Sequence, residues 1–492
     1  MIDGTLVAIA EGVAGQWATI VSAAHVTGAL AVTVHAVLGR RDVPAIVGWV
    51  GLAWLAPVVG SLLYLLLGIN RIQRRSIRKR GRSLLTLGRY TGEELTNGAL
   101  PAPLVAGHPG LAGLAALAAR VTGRPLTPGN AVVPLPDGDL AYGEMLRAID
   151  GAARSVTLLT YIFDDDRAGQ RFVAALQEAQ ARGVAVRVLV DAVGARYSRP
   201  SIITRLHAEG VPAAVFLPTR VPWRFPYANL RNHRKLLVVD GRVGFTGGMN
   251  IREGHQPSLA PASPVRCLHF RLEGPVVRDM QQVFADDWFF ATGEVLPDDD
   301  TWYAPGESCG PVAARGVSDG PDSEMGTMPT VLFGALAAAT YRVSLITPYF
   351  LPDMRLRAAL MVAALRGIRV DIVLPARSNI PLMDWAMEPQ LAELIEAGVR
   401  VWRSPAPFDH TKLFVIDGSW SLIGSTNWDA RSLRLNFEYN IECYDAGLAG
   451  QLDGLMDDHL AVAAPVELAA LRARPFLVRL RNGVVRLLSP YL

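Results

Sequence analysis

The chain writes nearly the same nine residues twice, HRKLLVVDG from His233 to Gly241 and HTKLFVIDG from His410 to Gly418. His410 lies 177 residues after His233, and Asn427 lies the same 177 after Asn250. A fixed internal period marks a duplicated unit. The likeness extends backward in the same order. TLLTYIF (157–163) answers SLITPYF (344–350), ARGVAVRVLVD (181–191) answers LRGIRVDIVLP (365–375), and AEGV (208–211) answers EAGV (396–399). Each half reads strand, helix, strand, helix, strand and then the nine-residue motif. Such alternation implies an α/β fold, a mixed sheet flanked by helices. Two pseudo-symmetric halves, 131–305 and 306–492, are expected to pack as one catalytic domain.

The motif can be read physically. LLVV and LFVI are continuous apolar runs of buried-strand type, and Asp-Gly is a two-residue hairpin signal. In that register Lys235 pairs with Thr246 and His233 with Gly248. Cross-strand partners share a face, so His233, Lys235, Gly248 and Asn250 would point one way, as would His410, Lys412, Ser425 and Asn427. Asp240 and Asp417 fall seven residues after their His, an odd number, so they are expected to hold structure within the motif. Two Lys, two Asn and Ser425 make a cationic, donor-rich pocket suited to a phosphate. Two His beside it supply a nucleophile and a general acid, which allows a covalent intermediate. No metal or other cofactor is expected, because no His/Asp/Glu cluster has ligand spacing.

Composition points to lipid. Half the residues are hydrophobic, only 19% are charged, and mean hydropathy is +0.24. Charged residues are missing from Gly12 to Gly39 and again from Val43 to Asn70. Each stretch exceeds the roughly 20 residues a spanning helix needs. The second is expected to be the surer span, kinked at Pro57; in the first, His25 and His35 would serve helix packing. Asp3 and Glu11 replace the basic leader of a cleaved signal peptide. Arg71, Arg74, Arg75, Arg78, Lys79, Arg80 and Arg82 follow, which places the rest of the chain in the cytoplasm. The sequence thus divides into a two-span membrane anchor (1–82), a linker (83–130) and the duplicated domain. The net charge of +3 is largely due to the basic flank, so no nucleic-acid partner is expected. Three scattered Cys fit a reducing compartment. Trp223, Phe225 and Tyr227 are read as loop aromatics packed on the core, or else an interfacial lip. Arg231 and Asn232 are candidates for phosphate contact.

The two blocks HRKLLVVDGRVGFTGGMN and HTKLFVIDGSWSLIGSTN resemble the paired HKD motifs of the phospholipase D superfamily. GSLLYLLLGINRI, RNHRK, FRLEGPVV, DDWFFATGE, ITPYFLPD and the terminal RLRNGVVRLLSPYL are similar to its bacterial cardiolipin synthase branch. The resemblance covers nearly the whole chain. It implies a multi-pass enzyme of the bacterial inner membrane, with its catalytic domain facing the cytoplasm. The reaction implied is a transphosphatidylation between two phosphatidylglycerol molecules, with phosphatidylethanolamine as an alternative donor. A phospholipase, a phosphodiesterase and an inactive membrane scaffold are the competing readings. The motif residues His233, Lys235, Asp240, His410, Lys412 and Asp417 would be catalytic, and Asn250, Ser425 and Asn427 would bind phosphate. The superfamily places a carboxylate after each motif His to orient its ring. Glu438, 28 residues after His410, is expected to serve that His. Cys267 occupies the matching first-half position where the branch has Asp, which would leave His233 without its partner. On that expectation His410 is the general acid and His233 the nucleophile.

Overall fold

In the computed structural model, residues 2–39, 43–68, 100, 102–218, 230–321 and 326–489 are described. They fall into two units, an N-terminal one ending at Gly68 and a larger one from Leu100 onward. The basic flank Arg71–Arg82, the first part of the expected linker, and Trp223, Phe225 and Tyr227 lie outside the described residues.

In the N-terminal unit one helix runs from Ile2 to Leu38, and its segment Gln16–Leu38 is long and apolar enough to cross a membrane. The second apolar stretch, expected to be the surer span, is not one helix. It divides into Val43–Leu55 and Val59–Leu63, continued by a π turn over Tyr64–Gly68. The break falls at Pro57, which has no N–H for the helical ladder and clashes with the preceding turn. His35 meets the Tyr64 hydroxyl through Nδ1 at 2.6 Å, and His25 packs edge-on against Trp54. Both histidines therefore join helices to one another.

The larger unit contains the duplicated fold. At its centre Thr127–Pro136 pairs antiparallel with Val312–Asp319, so one sheet runs through both halves. Outward on the first side lie Leu268–Glu273, Val243–Gly247, Leu236–Val239, Ser155–Thr160, Ala185–Asp191 and Ala213–Phe216. Outward on the second lie Asn436–Tyr444, Trp420–Gly424, Leu413–Ile416, Arg342–Ile346, Arg369–Pro375 and Arg400–Ser404, in the corresponding order. The last three strands on each side are parallel and joined through helices, Arg167–Ala181 and Ile202–Ala208 or Met354–Leu365 and Pro381–Glu396. Asp166 and Asp353 start two of these helices by accepting N–H bonds from Gly169 and Leu356. Met383 and Met387 are core residues. The Ala-rich segment of the expected linker is not loose. Its helix Gly110–Thr122 buries Leu111, Leu114 and Ala118 in the second-half core.

The hairpin after each motif differs by one residue from the sequence reading. Leu236 pairs with Thr246 and Val239 with Val243, leaving a three-residue connection of Asp240, Gly241 and Arg242. Asp240 and Gly241 both take left-handed conformations, with φ of 53° and 64°. Asp240 directs its carboxylate at the backbone N–H groups of Ala153, Arg154 and Ser155. Asp417 does the same for Thr340, Tyr341 and Arg342, and also accepts from the Thr340 hydroxyl. Each aspartate ties its hairpin to the start of a neighbouring strand. Bonds to a charged acceptor contribute about 1.5–3 kcal/mol each and are not additive. Asp417→Asn should therefore cost on the order of 3 kcal/mol, read as a fall in the denaturation midpoint. An unchanged midpoint with lost turnover would place this carboxylate at the chemistry instead.

Candidate active site

Two short strand exchanges build the site. Arg231–Asn232, just before the first motif, pairs in parallel with Asn436–Phe437 of the second half, and the His233 N–H donates to the Phe437 carbonyl at 2.9 Å. Reciprocally, Phe408–Asp409 pairs with Val265–Arg266, and the His410 N–H donates to the Arg266 carbonyl at 2.8 Å. The two imidazoles consequently face one another across the pseudo-dyad, with ring centres 6.4 Å apart and planes at 82°. Both are buried, as are Lys235, Lys412, Asn250, Ser425, Asn427 and Glu438.

The exchange overturns the expected pairing of Glu438. Its carboxylate contacts His233 Nδ1, not His410, with both oxygens at 3.0 Å. The reason is topological: residue 438 directly follows the two residues that pair with Arg231–Asn232, so it stands beside residue 233. The Ser425 hydroxyl donates to Glu438 at 2.5 Å and Asn436 Nδ2 does so at 3.1 Å. Ser425 is thus engaged with the carboxylate, one step behind the phosphate position the sequence suggested. The matching strand register places Cys267 opposite Glu438 in the pseudo-symmetry, since Gly424 faces Asn440 just as Gly247 faces His269. Cys267 lies beside His410 and hydrogen-bonds its carbonyl through Sγ at 3.3 Å. His410 Nδ1 meets the Gly248 carbonyl at 3.0 Å. Gly248 has no room for a side chain, because a Cβ there would strike Cys267 Sγ and the His410 carbonyl. It is therefore His410, and not His233, that has no carboxylate behind it.

Each lysine holds the carbonyl of its own motif histidine, Lys235 Nζ to His233 at 2.6 Å and Lys412 Nζ to His410 at 2.7 Å. Burial pulls Lys235 down to about 7 and Lys412 to about 8. Burial also lowers His233 to about 4, although Glu438 pulls it upward. His410 is held well below its ordinary value by burial first, and Lys412, Lys235, His233 and His255 all push the same way. Burial raises Glu438, but His233, Lys235 and Ser425 outweigh it and keep the carboxylate ionised. Cys267 is pushed up to about 12 by burial, so it stays a neutral thiol.

The Asn250 Oδ1 accepts the Ile162 N–H at 3.1 Å, which orients its Nδ2 as the free donor end of the amide. Asn427 Nδ2 donates to Ser432 at 3.2 Å. Asn232, a candidate for phosphate contact, is instead buried against Asp191 and Asp287. Several residues escaped the sequence reading. Tyr161 packs edge-on against His233 at 5.3 Å, and Tyr349 sits beside His410 at 6.2 Å. Arg234, pointing away from His233 and Lys235 by strand alternation, forms a buried ion pair with Asp287 at 2.7 Å. Its signal was the acid of DDWFF, far along the chain. Among the described residues no three His, Cys, Asp or Glu side chains converge as metal ligands.

The architecture is shared with a solved phosphatidylserine synthase from Haemophilus influenzae Rd KW20, at a TM-score of 0.57 over 74% of this chain and 95% of that one. At 15% identity this is a likeness of fold. The family model described as "Cardiolipin synthase, PLD-like domain" matches residues 145–256 and 332–460, one segment in each half. A cardiolipin synthase of Geobacillus kaustophilus (strain HTA426) is 31% identical over 100% of this chain and 98% of that protein. Cardiolipin synthase A of Pseudomonas fluorescens (strain SBW25) is 33% identical over 96% of this chain and 98% of that protein. The chain belongs to the cardiolipin synthase family of phospholipase D-like proteins.

Two outcomes follow from the geometry. Glu438→Gln keeps a hydrogen-bond acceptor but removes the charge, so kcat should fall roughly 10⁴-fold, the scale of an orienting acid's loss. Cys267→Ala, which touches only the backbone of His410, should cost far less. Equal losses would mean that the carboxylate has no special role. If the two lysines bind phosphate as cations, kcat/KM should decline as pH rises through about 7 to 8. A flat profile to pH 9 would show that the lysines keep their charge in the empty site.

Proposed function

We propose that this protein is a membrane-bound phosphatidyltransferase that condenses two phosphatidylglycerol molecules to cardiolipin and glycerol. The observation that carries this reading is the pair of buried, facing histidines, 6.4 Å apart and each beside a lysine, in a chain of this family. The roles follow from proton positions. The Glu438 carboxylate accepts a hydrogen bond from the Nδ1–H of His233, leaving the lone pair on Nε2 to attack phosphorus. The bond from phosphorus to the glycerol headgroup breaks, and the departing oxygen takes a proton from His410 Nε2. The ring of phosphorylated His233 is cationic, and Glu438 stabilises that charge as the acid of a catalytic triad stabilises imidazolium. His233 therefore remains the nucleophile, for the opposite reason to the one its sequence neighbourhood suggested.

The second phosphatidylglycerol then gives its hydroxyl proton to His410 and attacks phosphorus, and the P–N bond breaks. Lys235, Lys412, Asn250 and Asn427 are assigned to the phosphate oxygens, whose charge also favours protonation of His410. Ser425 is assigned to holding Glu438, and Asp240 and Asp417 to the hairpins. Phosphatidylethanolamine is a second possible donor because these groups bind the phosphate it shares. The helix Gln16–Leu38 would anchor the enzyme in the bacterial inner membrane, with the second apolar stretch as another, interrupted pass. The basic flank Arg71–Arg82 supports a cytoplasmic catalytic domain. Domain limits of 1–82, 83–130, 131–305 and 306–492 remain the working division.

Full-length protein in vesicles with glycerol-labelled phosphatidylglycerol should yield cardiolipin and free glycerol. Phosphatidic acid without cardiolipin would make it a hydrolase, and no turnover would make it a scaffold. A donor with a p-nitrophenol headgroup needs no acid, so the His410→Ala variant should accumulate phosphate on His233. Label on His410 in the His233→Ala variant would reverse the assignment.

A further inference from the structure

The terminal helix Phe476–Arg486 has two unlike long faces. One is docked: Asn482 and Val485 are buried, and Asn482 Nδ2 donates at 2.6 Å to Glu388 on the helix Pro381–Glu396. The other faces outward. Phe476, Leu477, Leu480, Val484, Leu487 and Leu488 are 72%, 74%, 51%, 56%, 76% and 48% exposed. At 100° per residue these six fall within an arc of about 120°, a single stripe on the helix and its last turn. Scattered exposed apolar residues are ordinary, but a contiguous stripe requires an occupant.

Charge indicates which. From Arg474 to Leu492 the chain carries four arginines and no acid. Arg479 and Arg486 flank the stripe on one side and Arg481 on the other. Arg481 is held in place over the Trp385 ring at 4.1 Å. An apolar stripe bordered by arginines matches the boundary between acyl chains and anionic headgroups. The same chain carries a helix able to span a bilayer, which would hold the larger unit at a membrane at high effective concentration. We infer that the helix Phe476–Arg486 lies on the surface of an anionic bilayer and docks the catalytic unit there, apart from the N-terminal anchor. The contact is independent of the reaction at the histidines.

The test uses the full chain with Cys309→Ser, because Cys267 and Cys443 are buried and Cys309 is exposed. Leu480→Cys carries an environment-sensitive fluorophore, and Glu178→Cys, exposed on another helix, serves as an aqueous control. In vesicles of phosphatidylglycerol and phosphatidylcholine, the label at 480 should shift to the blue and be quenched by lipid spin-labelled near the headgroup. In pure phosphatidylcholine the docked fraction should fall. Arg479→Gln and Arg486→Gln should each lower the docked-to-undocked ratio roughly fivefold, the equivalent of about 1 kcal/mol per basic residue. Quenching at 480 by aqueous iodide and not by lipid would overturn the inference. So would protection that depends on protein density and not on lipid charge, which would assign the stripe to a second copy of the chain.

Discussion

The site depends on one buried carboxylate standing on the far side of a pseudo-symmetric interface. Two lysines removed from water repel one another beside two histidines that burial keeps neutral, and Glu438 is an anion set among them. It touches His233, Ser425 and Asn436 at once, so its lone pairs are used and its desolvation is offset by charge and hydrogen bonds. That arrangement exists only because the strand Asn436–Tyr444, paired on both sides within its own half, also offers its first two residues to Arg231–Asn232. The hydrogen bond between halves and the catalytic constellation are therefore one feature.

The duplication did not produce two equal sites. The strand exchange is preserved on both sides, yet one delivers Glu438 to an imidazole and the other delivers Cys267 to a backbone carbonyl. A neutral thiol cannot stabilise a charged ring, so the rings differ in what they can bear. In the proposed mechanism the ring that carries phosphate and positive charge is the one with lasting ionic compensation. A ring that passes a proton back and forth needs only a fixed tautomer, which the Gly248 carbonyl provides.

Much of this was legible in the residues. The 177-residue offset gave the two halves, and the repeated apolar segments gave the order of strands and helices. The odd spacing of Asp240 and Asp417 suggested a structural place, and their carboxylates bond backbone N–H groups beside the hairpins, whereas the resemblance had counted both as catalytic. The exchange was not legible, because a two-residue pairing between segments some 200 positions apart leaves no periodicity. Proximity along the chain then suggested the wrong partner for Glu438. The hairpin was misjudged by one residue because Asp-Gly serves a three-residue connection here as readily as a two-residue one. The kink expected at Pro57 is there, but it divides the second apolar stretch into two helices instead of bending one.

The backbone N–H of each catalytic histidine is bonded to the opposite half, His233 to Phe437 and His410 to Arg266. During synthesis the apolar helix Gln16–Leu38 emerges first and can reach the bilayer while most of the chain is still unmade. The first histidine follows, but its carboxylate and its strand partner are encoded near the end. In the proposed mechanism His233 consequently lacks the carboxylate behind it until residue 438 has emerged and folded back.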